Sequence, residues 1–318
     1  MNSCRWLCVP LLLVGAGAAT GQQDFPLKPI RILAGSAGGS SDLSTRLIAQ
    51  GLTSSLGQQV IVDSRPTVLI RDIVMKSPAD GYTLLLAANS FYLGPILQSM
   101  SYDPIRDFAA VGLAIRTPSI FVVHPSLPVK NVRQLIAMAK ARPGALNYAS
   151  GAPGSSYHIG MELFKSMAGV NIVRVAYKGG GPALNDMLGG QVEMMFVTPA
   201  SGSQHVRSGR LRALAITSLQ PSPLFPGMPT LAAEGGLSGF EQSSKVGIYA
   251  PAKTPVGVIN RLNQELVQVL NRMDIKEKFQ EMGLEPAPST PQEFAAVMKS
   301  EMSRIGKLIK DTGIRVEE

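Results

Sequence analysis

The sequence predicts an α/β protein of two lobes with parallel-rich sheets, joined by two crossing strands. Three observations predict it. Short apolar runs alternate with helical patterns along most of the chain; glycine-rich turns, AGSAGGSSD, SGAPGSS and YKGGGP, follow three of those runs; and 318 residues suffice for two cores.

The N-terminus reads as a leader. Arg5 precedes the apolar run LCVPLLLVGAGAA, with small residues at Ala16, Ala18 and Ala19, so residues 1–21 are expected to be a signal peptide cleaved between Ala18 and Gln22. The run is too short to cross a bilayer, and no other apolar run reaches the necessary length. Both cysteines, Cys4 and Cys8, lie in this leader. The mature chain is therefore expected to be exported without a disulfide, a thiol nucleophile or a thiolate metal site.

Lys and Arg outnumber Asp and Glu by 30 to 22, but the excess is dispersed and aromatic residues are 6% of the chain, which argues against nucleic-acid binding. A mild attraction for small anions is what the charge supports.

In chain order, IRIL opens a strand, and Leu43, Leu47, Ile48, Leu52 and Leu56 share one helical face, with Asp42 or a serine before it as N-cap. QQVIVD, a helix Leu69 to Lys76 and a buried strand Tyr82 to Ser90 follow; Asn89 and Ser90 at its carboxyl end are crevice candidates. Ser119 to Val129 reads as a strand entering the second lobe. Asn131 is expected to cap a helix over Val132 to Ala141, after which NYA, IVRV, QVEMMF and LRALAIT alternate with helices beginning near Ser156, Pro182 and Gln204. That alternation predicts a parallel sheet. Pro221 to Ser244 reads as loop, Val246 to Pro251 as a returning strand, and Thr254 as the cap of a helix with Pro255 in its first turn. Helices over Ile275 to Met282 and Pro291 to Lys310 complete the chain. The expected lobes are residues 22–122 with 247–318, and residues 123–246, and the crossing strands would form a hinge.

Catalytic and metal chemistry find little support. The three histidines, His124, His158 and His205, are dispersed with no HExxH or HxH pattern, so no metal site and no cofactor are expected. GxSxG, GxGxxG and the Walker pattern are absent. A serine hydrolase using Ser155 or Ser156 with His158 is the least favoured alternative, because residues so close at a helix start do not face each other productively. What remains is a set of neutral donors: backbone N–H groups of Gly38, Gly39, Ser40 and Ser41, of Gly154, Ser155 and Ser156, and of Gly179, Gly180 and Gly181, with the hydroxyls of Ser40, Ser155, Ser156, Tyr177 and Thr198. Amides at helix starts, hydroxyls and water suit a carboxylate that is held and not converted.

The ordered series IRIL…GGSSD, PADGYTLLLA, NYASGAPGSSYHIGMELF, VAYKGGGPALNDMLGGQVEMMF, LRALAIT, MPTLAAEGG and APAKTP resembles the Bug-type extracytoplasmic solute receptors of tripartite tricarboxylate transporters, from about Pro26 to Arg315. The resemblance implies a periplasmic-binding-protein fold of type II, a monomer that closes on a small organic acid and presents it to membrane transporter subunits. It implies ligand contacts at Gly38, Gly39, Ser40, Ser41 and Asp42, at Ser155, Ser156, Tyr177, Gly179, Gly180 and Gly181, and at Thr198. A binding protein that signals to a membrane sensor is the alternative. Two departures stand out: GSAGG lacks the aromatic and proline usual before the first helix, and SRP runs directly into TVLIRDIV without the expected glycine turn. Arg65 and Arg71 are the candidates for a charge role there.

Overall fold

A computed structural model of the chain describes residues 25–35, 40–151 and 154–313. The expected leader, residues 1–21, and Gly38 and Gly39 lie outside the described residues.

The first half of the fold contains β1 (Ile30–Ala34), α1 (Ser40–Leu56), β2 (Val60–Ser64), α2 (Thr67–Met75), β3 (Thr83–Ala88), α3 (Ser90–Leu97) and β4 (Phe108–Pro118). The chain then builds β5 (Ile120–Val123), α4 (Val132–Ala141), β6 (Asn147–Ser150), α5 (Ser156–Ala168), β7 (Val173–Ala176), α6 (Gly180–Leu188), β8 (Met194–Val197), α7 (Pro199–Arg207) and β9 (Arg212–Ile216). After α8 (Leu231–Gly235) it returns through β10 (Ser243–Pro251), α9 (Val256–Asn271), α10 (Met273–Glu281), β11 (Glu285–Pro286) and α11 (Pro291–Thr312).

These strands form two sheets, in the orders β11-β4-β10-β3-β1-β2 and β7-β6-β8-β5-β9. β1 pairs in parallel with β2 and β3, and β6 in parallel with β7 and β8. The sheets are mixed, however. β10 runs antiparallel to β3 and β4, and β5 antiparallel to β8 and β9, so the antiparallel pairs come from the two strands that bring the chain across while β6 to β9 share one direction. The strands that carry the chain between sheets arrive from the other half and so enter against the local direction.

Successive residues of the central strands serve opposite faces of the first sheet. Leu33 and Leu85 join the core shared with α3 and α11, while Ile32, Leu84 and Leu86 join the core under α1 and α9. A strand covered on both faces must be apolar at nearly every position, and each fully buried Leu or Ile contributes about 1.5–3 kcal/mol.

Several elements differ from the sequence reading. β4, the longest strand, carries Ala109, Ala110, Gly112 and Ala114 and so shows no alternating apolar signal. The small residues admit α9: a Cβ on Gly112 would come within 2.7 Å of Asn263 Nδ2, whose amide donates to Val111 O at 2.8 Å. β5 stops at Val123 and not Val129, because Pro125 and Pro128 interrupt it and Leu127 N–H folds back to His124 O at 3.0 Å. α3, α8 and β11 were not expected, and β10 starts at Ser243, inside the expected loop. Thr254 does not cap α9; its hydroxyl donates to Pro251 O at 2.8 Å, and Pro255 takes the cap position. Asn131 caps α4 as expected, accepting from Gln134 N–H at 2.9 Å.

The chain changes sheet at Ser119. Its N–H donates to Thr217 Oγ1 at 2.7 Å, and Thr217 N–H donates to Ser119 O at 3.0 Å. Gln242 N–H donates to Thr217 O at 2.9 Å, so the segments at Ser119, Thr217 and Gln242 that carry the two crossings are fastened at one buried point.

Beside this point lies an ionic network. Lys245 on β10, 2% exposed, reaches Glu241 at 3.2 Å and Glu301 of α11 at 3.1 Å. Tyr92 of α3 donates to the other Glu301 oxygen, and Arg304 donates to Glu241 O at 3.1 Å. Burial, followed by the Glu301 charge, raises the Tyr92 pKa far above its ordinary value, so the phenol remains a donor. Removing one partner of a buried ion pair leaves the other charge uncompensated. Lys245→Met is therefore expected to lower stability by about 3–5 kcal/mol in urea unfolding, and a loss under about 1 kcal/mol would contradict the role of this network.

Candidate functional site

The start of α5 is the most elaborately supported loop among the described residues. Gly154 has φ 74°, a left-handed conformation that glycine adopts without penalty, and its N–H donates to His158 Nδ1 at 3.0 Å. Ser155 is the N-cap, its hydroxyl accepting from His158 N–H at 3.4 Å. From the neighbouring strand, Arg174 donates to Ser150 Oγ at 2.8 Å and to Gly151 O at 2.9 Å. These bonds fix the turn while leaving Ser156 exposed at the first position of the helix. α5 also packs closely on the sheet junction: a Cβ on Gly160 would come within 2.3 Å of Gln242 Cγ.

Facing this helix start across the sheet junction are α3, α2 and β10. Arg71, Asn89, Ser90 and Ser244 line a cavity of about 530 Å³ together with Gly154, Ser155 and Ser156. Ser156 and Ser244 also border a second cavity of about 300 Å³ at the hinge, with Thr117, Tyr157, Thr198 and Gln242. Tyr157 and Thr198 extend it to a third, of about 260 Å³, against Gly180 and Gly181. The shared residues make these spaces one cleft along the junction of the sheets, in the size range of small-molecule sites.

Of the residues expected at the site, Ser155, Ser156, Gly154, Asn89, Ser90, Thr198, Gly180 and Gly181 all line this cleft. Asn89 does not cap α3 with its side chain; Nδ2 donates to Ser243 O at 3.2 Å and ties β3 to β10. Thr198 caps α7, accepting from Ser201 N–H at 3.1 Å. Gly179, the N-cap of α6, lies just outside the lining, and added Cβ atoms on Gly179, Gly180 and Gly181 would meet open space.

Tyr177 and Asp42 are placed differently. The Tyr177 hydroxyl donates to Asp186 Oδ2 of α6 at 2.8 Å and lines none of the three spaces. Burial and then the Asp186 bond raise its pKa to about 12. Asp42 lies within α1 and not at its cap; its carboxylate, 4% exposed, receives Ser64 Oγ at 2.5 Å and Arg46 Nε at 3.1 Å. Ser40 and Ser41 are described only as the first turn of α1.

The structure adds Tyr157, Gln242 and Ser244, and it brings in Arg71 of the two arginines named from the sequence. Tyr157 is the residue after Ser156, and burial raises its phenol pKa, which keeps it a neutral donor. Gln242 Oε1 is buried without a hydrogen-bond partner among the described residues, an acceptor facing the hinge end of the cleft. Where the resemblance leads one to expect a glycine turn, the chain forms α2, and this helix carries Arg71 into the cleft. Arg65 instead pairs with Asp63 at 2.9 Å.

His158 does not serve Ser155 or Ser156 as a base through Nδ1, which is occupied by the Gly154 N–H. Burial, and then the nearby Arg174 charge, lower its pKa to about 4, with Glu162 opposing and Lys165 assisting. The folded chain thus refuses a proton that the unfolded chain takes below its ordinary value of 6.5. The stability that His158 contributes is complete above about pH 6.5 and is lost as pH falls toward 4. The melting temperature is expected to fall between pH 7 and 4.5, and His158→Asn, whose amide oxygen can receive the Gly154 N–H, should flatten part of that slope. Identical slopes for the two proteins would contradict the assignment.

No cluster of side chains that could hold a metal occurs among the described residues. A sequence profile described as "Tripartite tricarboxylate transporter family receptor" matches residues 44–314. Protein BugT of Bordetella pertussis is 35% identical over 100% of both chains. A solved R. palustris structure with adipate is similar with a TM-score of 0.73 and 33% identity, covering 92% of this chain and 99% of that one. MatC from Rhodopseudomonas palustris with bound malate is similar with a TM-score of 0.68 and 25% identity, covering 90% of this chain and 100% of that one. The fold is that of the type II periplasmic solute-binding proteins. These relatives are receptors and not enzymes, which removes the hydrolase alternative. With a match that spans most of its length, the chain belongs to the tripartite tricarboxylate transporter receptor family.

Proposed function

We propose that this chain is a periplasmic receptor that captures a small organic acid in the cleft at the sheet junction and presents it to membrane subunits of a tripartite transporter. The observation that carries the reading is the convergence of the α5 start and the facing α2–α3 wall on a single cleft. Neutral donors at a helix N-terminus favour an anion without offering an acid, base or nucleophile for its conversion.

In this reading the two lobes are built on the two sheets, with the chain passing to the second at Ser119 and returning at Ser243, a few residues before each bound expected from the sequence, and they move as a monomer about the crossing at Ser119 and Thr217. Ser155 and Ser156 take one carboxylate, with Gly154, Asn89, Ser90, Thr198, Gly180 and Gly181 completing the enclosure. The adipate and malate in the similar structures support a carboxylate as ligand class. The leader reading supports export, and no helix among the described residues is long and apolar enough to cross a membrane.

A ligand at about 100 times its dissociation constant adds about 2.7 kcal/mol to stability, which corresponds to roughly 3–6 °C for a chain of this size. In a thermal-shift panel of aliphatic, hydroxy and aromatic acids, at least one acid is expected to produce such a rise. Ser156→Trp, which fills the cleft from an exposed position, should abolish it. A panel in which no acid raises the melting temperature, or a Ser156→Trp protein that responds like the wild type, would overturn the proposal.

A further inference from the structure

The acid-receptor reading leaves one cation in the cleft without a task. Arg71 is the sole charged side chain among the described residues that line the 530 Å³ cavity. No carboxylate among the described residues lies within salt-bridge distance of it.

The guanidinium is nevertheless held in place. One terminal nitrogen donates to Tyr102 Oη at 3.2 Å and approaches Met100 Sδ at 3.8 Å, and the group lies 4.9 Å from the centre of the Tyr102 ring. Tyr102 is itself anchored: it is 5% exposed, and its hydroxyl donates to Phe91 O at 2.5 Å. That bond commits the phenolic proton and leaves the oxygen as an acceptor for Arg71. The contacts occupy one nitrogen, so the Nε and the other terminal nitrogen keep N–H groups free for a planar anion.

The same cavity is lined by the apolar side chains of Leu93, Leu97, Met100 and Ile159, beside the polar Asn89, Ser90 and Gln98. A cavity that combines an amide-and-hydroxyl anion site, a fixed guanidinium and several aliphatic side chains has the polarity pattern of an α,ω-dicarboxylate. We propose that Arg71 is the specificity-determining residue for the second carboxylate of a linear aliphatic diacid, an inference that rests on the receptor reading of the same cleft. The first carboxylate sits at Ser155 and Ser156, the methylene chain lies along Leu93 and Ile159, and the distal carboxylate takes two N–H groups of Arg71. Monoacids of equal length lose the distal contact, and a charge-assisted bond of this kind corresponds to about 10- to 100-fold in affinity.

The test is calorimetric titration of the wild type, Arg71→Gln, Arg71→Lys and Ser156→Trp with matched pairs: succinate and butyrate, adipate and hexanoate, suberate and octanoate. The wild type is expected to bind at least one diacid about 10-fold or more above its monoacid. Arg71→Gln should bring that diacid down to its monoacid and leave the monoacid unchanged. Arg71→Lys keeps the charge but not the fork, so it should retain only part of the preference and report even if the glutamine variant folds poorly. Ser156→Trp should lose both acids of a pair. An unchanged diacid preference in the Arg71 variants, or a wild type that binds both acids of each pair equally, overturns the role of Arg71 while the receptor reading stands. A wild type that binds none of these acids but binds others overturns the diacid class alone, and one that binds no acid at all removes both readings.

Discussion

The fold depends on the crossing at Ser119. One backbone bond and two bonds through the Thr217 hydroxyl join Ser119 to Thr217, and Gln242 closes the same knot. Both connections between the sheets pass this buried point, which is where the proposed receptor reading puts the pivot of the two halves. The cleft is the space that the crossing leaves open on one side. α11 and the network of Lys245, Glu241 and Glu301 pack beside the crossing, and these buried charges hold the returning strand in one position.

The chemistry of the cleft follows from that arrangement. Helices α5, α6 and α7 all start at the carboxyl ends of strands in the second sheet, and their first turns line the cleft. Free amides gathered in this way attract an anion by dipole and hydrogen bond, and the phenol of Tyr157 adds a donor held neutral by burial. The opposing wall contributes neutral Asn89, Ser90 and Ser244 and one guanidinium. In the proposed reading one half of the cleft supplies a general affinity for carboxylates, and the other half discriminates among them.

Much of this was legible in the sequence because the relevant signals are local. The glycine and serine turns, the α4 cap at Asn131 and the strand runs Leu84 to Leu86 and Met194 to Val197 each carry their own pattern. What escaped was set by distant partners. β4 is a strand because β10 pairs along it and α9 crosses it closely, and its alanines and Gly112 reflect that approach and not any intrinsic preference. Tyr177 and Asp42 belonged to motifs near the cleft, yet their polar atoms are taken up by Asp186, Arg46 and Ser64. Arg71 could be suspected from the missing glycine turn, but its place in the cleft follows only from the helix that replaces that turn.

The central claim is that one carboxylate site at the start of α5 is built into the junction of the two sheets. The most direct measurement is a crystal structure of the protein grown with a diacid that stabilises it. The account predicts density in the cleft with one carboxylate within hydrogen-bond distance of the Ser155 and Ser156 amides or hydroxyls. Density confined to the opposite face, in the roughly 420 Å³ cavity beside Lys245 and Arg304, would contradict it.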